Sequence, residues 1–117
     1  MNNQSVEAIM SFYEANIADY VEDGGLQPPP PVKAKVLEIV TYLVERTNDV
    51  VIIPFHSDTS NGNIVIDSKT NKRRLSILLR PDGTFRLSRS CGDRNPSGHD
   101  FVELSEIDVD IEWLMGS

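Results

Sequence analysis

The feature that most constrains this chain is the stretch Arg73–Ser90, RRLSILLRPDGTFRLSRS, in which two alternating runs flank Pro81-Asp82-Gly83. Pro81 presets φ for the second position of a type I turn, and Gly83 can take the left-handed conformation that closes a bulged hairpin. With Arg80 and Thr84 flanking the turn, the spacing sets Leu79 opposite Phe85, Ile77 opposite Leu87 and Leu75 opposite Arg89. The other face then carries Arg74, Ser76, Leu78 and Arg80 beside Thr84, Arg86, Ser88 and Ser90. One face is a core wall, and the other is polar and cationic.

A wall of this kind needs a cover, and the first half of the chain supplies it. Between Ser5 and Val21 the apolar residues Val6, Ile9, Met10, Tyr13, Ile17 and Val21 recur at helical spacing, and Gly24-Gly25 ends the pattern. Leu26-Gln27 and four successive prolines follow as a stiff connector, with Pro31 standing where a first helical residue is favoured. Val32–Thr47 reads as a second helix whose stripe is Val32, Val36, Ile39, Val40 and Leu43. Val50–Phe55 is short, β-branched and apolar, and Pro54 assigns it to an edge or a strand end. Ile64–Asp67 is a further strand, and Ser68–Lys72 turns the chain into the hairpin.

The tail admits two periods. Ile107, Val109, Ile111 and Trp113 alternate with Asp108, Asp110 and Glu112, as a strand with an acidic face would. Asp is poor in strands, however, and Ser105-Glu106-Ile107-Asp108 resembles an N-cap followed by carboxylates in a first helical turn. A short strand at Phe101–Leu104 and a short helix from Glu106 is the favoured reading. The expected fold is α+β: one domain over 1–117, with two N-terminal helices on one face of a four- to five-stranded antiparallel meander and a short C-terminal helix.

Charge is segregated along the chain. The net charge is −7, yet residues 68–94 hold eight cations (Lys69, Lys72, Arg73, Arg74, Arg80, Arg86, Arg89, Arg94) against Asp82 and Asp93. Residues 1–50 and the tail after 94 are acidic. The acids of the helices and tail either neutralise the Arg-bearing strands internally or leave a bipolar surface that docks a charged partner. The candidate binding residues are Asp108, Asp110, Glu112 and Trp113 in the tail, and Arg74, Arg80, Arg86 and Arg94 around the hairpin.

Reactive residue types concentrate in Cys91–Asp100, CGDRNPSGHD. A cysteine nucleophile would need Cys91 activated by His56 or His99, with Asp58 or Asp100 orienting the base. A zinc site would draw on His56, Asp58, Cys91 and His99, whose spacing matches no standard pattern. An anion site would use Arg89, Arg94 and amides near Gly92. A polar surface loop explains the same residues with less, so no catalytic residue, metal or cofactor is assigned. Phe85 points to the core wall, which leaves the Arg face without a base-stacking aromatic and disfavours nucleic acid as a partner. No apolar run approaches the roughly 20 residues that cross a bilayer. The lone Cys91 fits a reducing cytoplasm. The functional expectation is a small acidic protein that binds another protein, in the manner of an inhibitor, immunity factor or adaptor. That partner would be basic or itself a nucleic-acid-binding protein, and a homodimer is also compatible. An anion- or nucleotide-binding module is the alternative, and an enzyme using Cys91 and His99 ranks below it.

Overall fold

A computed structural model describes residues 5–25, 27–48, 50–56, 63–91, 97–101 and 103–116, with backbone only at 56 and 97. Two helices, α1 (Val6–Glu22) and α2 (Pro30–Arg46), precede strands β1 (Val51–His56), β2 (Ile64–Lys69), β3 (Arg73–Leu79), β4 (Phe85–Cys91) and β5 (Ser97–Phe101). A 3-10 turn over Leu104–Ile107 leads into α3, Asp108–Leu114. The five strands form one antiparallel sheet in sequence order, and the helices pack on one face of it.

The hairpin has the expected register, with Leu79 paired to Phe85, Ile77 to Leu87 and Leu75 to Arg89. Its turn closes through the Gly83 N–H on the Arg80 carbonyl at 2.9 Å and the Arg80 N–H on the Thr84 carbonyl at 3.0 Å. Gly83 takes φ 89°, a left-handed conformation in which a side chain would be strained. The Asp82 carboxylate accepts from the hydroxyl and amide of Thr84, which holds its carboxyl below the usual carboxylate range.

Pairing across the whole sheet sorts the core wall into three rows. His56, Ile64, Leu79, Phe85 and Phe101 form one; Pro54, Ile66, Ile77, Leu87 and His99 the next; Ile52, Ser68, Leu75, Arg89 and Ser97 the third. Against the apolar part lie Ile9, Tyr13 and Ile17 of α1 and Val36, Ile39, Val40 and Leu43 of α2, in one continuous core. Burying a side chain such as Ile77 contributes about 2–3 kcal/mol before chain entropy is counted. The third row is the anomaly. Ser68 is buried with no hydrogen-bond partner for its hydroxyl among the described residues, and Arg89 brings a cation to the core side of the sheet.

The opposite face has no helical cover among the described elements. Phe55, Val65 and Leu78 run across it in register, continuing into Arg86 and Asp100. They are partly exposed and lie outside the core cluster. Lys69 and Arg74 pair at the other end of this face, beside Val51.

Several boundaries move from the expected ones. Ser5 caps α1 by accepting the Ala8 N–H at 3.1 Å. In α2 the helix begins at Pro30, with Pro29 at the cap, because two prolines fit the first turn, where amides lack intrahelical acceptors. The last strand is Ser97–Phe101 and not Phe101–Leu104. Phe101 pairs with Phe85 and stacks on its ring at 4.8 Å, and the chain then leaves the sheet. The exit is set by a reciprocal cap in which Glu106 accepts the Glu103 N–H at 2.6 Å and Glu103 accepts the Glu106 N–H; Ser105 does not serve as the cap. The tail is helical, with Ile107, Ile111 and Leu114 buried. The strand alternative for the tail is thereby excluded. No helix among the described residues is long and apolar enough to cross a membrane.

Candidate functional site

Helix α3 lies over the corner of the core wall that the apolar residues leave unfinished. Its apolar side continues the core through Ile111 and Leu114, and that rotation aims Asp110 at Arg89 and His99. Asp110 is only 2% exposed, with Arg89 Nε at 2.6 Å from one carboxylate oxygen and His99 Nε2 at 3.3 Å from the other. Trp113 is held in the same corner. The guanidinium groups of Arg73 and Arg89 lie 5.1 and 5.2 Å from its ring centre, and Arg73 donates a hydrogen bond to its backbone carbonyl.

The other candidate residues are also largely spoken for. Asp108 accepts from the Tyr42 hydroxyl and lies 3.9 Å from Arg46 Nε. Partial burial, and then this bond, push the Tyr42 phenol above its ordinary value. Arg80 and Arg86 converge on Asp100, at 3.2 and 3.4 Å. The Arg80 hydrogen bond, with the charges of both guanidinium groups, holds the Asp100 carboxyl below the usual range. Arg94 lies outside the described residues. Glu112 remains exposed at the rim of α3.

Internal pairing therefore accounts for most cations. Lys33, Lys35, Arg46, Arg80, Arg86 and Arg89 each meet a carboxylate. Lys69, Lys72, Arg73 and Arg74 meet none among the described residues, and all four sit in or beside the β2–β3 turn. That turn is ordered by Thr70, whose hydroxyl accepts from the amides of Lys72 at 3.3 Å and Arg73 at 3.1 Å. Of these four only Arg74 was singled out from sequence. The signal for the others was present: Lys69 and Arg74 flank one turn and fall opposite each other once the strands alternate.

Three open concavities meet at Arg73. One, of about 670 Å³, runs between Arg73 and the exposed side of α3 at Val109 and Met115. The next, of about 720 Å³, is floored by Val51, Lys69, Lys72 and Met115. A smaller one of about 270 Å³ continues past Arg74 to Ser90. Val51, Val109 and Met115 are all exposed, Val109 at 66%. Among the described residues lining them, Glu112 is the carboxylate.

The reactive residues of 91–100 are not drawn together. Cys91 pairs with Arg73 at one end of the sheet, and His56 pairs with Ile64 in the row at the other end. His99 stands opposite Leu87, four positions along β4 from Cys91, or roughly 13 Å at strand spacing. It pairs with Asp110 instead of a thiol. Asp58, Gly92 and Arg94 lie outside the described residues, as does the side chain of His56. Of the anion set, Arg89 is engaged with Asp110. Among the described residues no three His, Cys, Asp or Glu side chains approach closely enough to share a metal ion. Comparison with protein-family models, curated proteins and solved structures gave no match.

Proposed function

We propose that this chain is a small, non-enzymatic protein-binding module of the inhibitor, immunity or adaptor type, acting through a charge-segregated surface. The observation that carries the reading is the uneven pairing of cations: Lys69, Lys72, Arg73 and Arg74 meet no carboxylate among the described residues, while six others are neutralised in place. Like charges held together on an ordered turn repel one another, and a partner bearing opposite charge relieves that repulsion. The acidic side chains of α1, including Glu7, Asp19 and Glu22, face solvent elsewhere on the molecule and give the surface its second sign.

The test uses the purified protein as bait in native lysate, beside Lys72→Glu/Arg74→Glu and Cys91→Ala. A partner retained by the wild type and by Cys91→Ala, and lost from the charge-reversed variant, supports the reading. An enzymatic activity that Cys91→Ala abolishes while its melting curve is unchanged overturns it.

A further inference from the structure

Two independent features coincide at one end of the molecule. The four cations that meet no carboxylate among the described residues surround the β2–β3 turn, and three of the large apolar side chains that face solvent, Val51, Val109 and Met115, line the concavities that meet there. Arg73 also braces α3 through Trp113, but Lys69, Lys72 and Arg74 meet no acid among the described residues, and Val109 lies on the side of α3 turned away from the core formed by Ile107, Ile111 and Leu114.

We propose that this end is a docking groove for an extended, acidic peptide segment of the partner protein. Its carboxylates meet Lys69, Lys72, Arg73 and Arg74, and its apolar side chains lie against Val51, Val109 and Met115. The inference rests on the protein-binding reading and names the partner chemistry of that same surface. Continuity of the three concavities through Arg73 suits an extended chain, which can place acidic and apolar side chains in turn along one trough. A polyphosphate fits the cations but not the apolar walls. A single-stranded nucleic acid would also need a stacking face, whereas Trp113 is half-buried with Arg73 and Arg89 already over its ring. The net charge of −7 repels a long polyanion beyond the groove, while a short acidic segment meets mainly the local cations.

A random-sequence peptide library displayed on phage, selected against the full chain, tests this directly. Enriched peptides should carry Asp or Glu interspersed with apolar residues and bind less tightly as salt is raised. Their affinity should fall on the order of tenfold for Lys72→Gln/Arg74→Gln, since two exposed charge contacts are removed. Both side chains are exposed, so circular dichroism should show an unchanged fold. Val109→Asp, on the opposite wall, should weaken the same peptides. The inference is overturned if selection yields no acidic peptides, if the double variant binds them unchanged, or if oligothymidylate binds more tightly than they do. A captured partner that depends on these cations, with no acidic peptide selected, would sink the peptide groove and leave the binding reading standing. Absence of any charge-sensitive partner would remove the binding reading itself.

Discussion

Asp110 reaches from α3 into a corner where two potentially cationic groups lie on the inner face of the sheet. With its carboxylate removed, Arg89 keeps its cation beside the core and loses the anionic partner it has among the described residues. Asp110→Ala is therefore expected to cost about 2 kcal/mol, below the full penalty for orphaning a buried charge, since Arg89 is 31% exposed and can turn to water. Urea unfolding should show the midpoint falling at constant slope. A midpoint within error of the wild type would mean that the pair contributes nothing net. This contact was not legible in the sequence. The strand period placed Arg89 opposite Leu75, on the wall, but nothing in a helical pattern says which acid 21 residues later will lie over it. Asp110 read as one of several surface carboxylates, because burial of a charge is decided by the partner and not by local chemistry.

Elements differ in how openly they declare themselves. The β3–β4 hairpin was readable to the residue because turn chemistry and a period of two agree, and a slip by one position would send Ile77 and Leu87 to solvent. Strand β5 was not readable. Gly98-His99-Asp100 has no β-branched residue, and the strand exists because β4 offers a free ladder and Phe85 offers Phe101 a ring to stack on. The same close approach predicts its weak point. A Cβ at Gly98 would fall 2.5 Å from the Leu87 carbonyl oxygen, a backbone atom that cannot swing aside. Gly98→Ala should destabilise by about 1–3 kcal/mol, as other overpacked sites do. Amide hydrogen exchange should speed first in β5 and its β4 partners, with β1 and β2 little affected. Uniform acceleration across the sheet would mean that β5 does not yield separately. At this scale the docking groove was half visible: the cations were counted from sequence, but the wall opposite them depended on α3 being a helix that turns Val109 outward.

For the molecule as a whole, segregation of helical and strand patterns along the chain was enough to give an α+β meander with helices on one face. What it left open was how opposite charges meet, since that depends on which elements become neighbours in space. One consequence of the meander concerns time. Every strand pairs only with its neighbours in sequence, so no strand waits for a distant segment before it can bond. Loop closure is correspondingly cheap, and folding should nucleate at the β3–β4 hairpin and spread to both sides. In a kinetic mutant series, Ile77→Val should give a φ-value above about 0.5, and Ile111→Val one below about 0.3. The reverse order would place α3 in the nucleus. During synthesis every strand has emerged once Phe101 has, so the sheet is expected to form before the Asp110 carboxylate of α3 reaches Arg89.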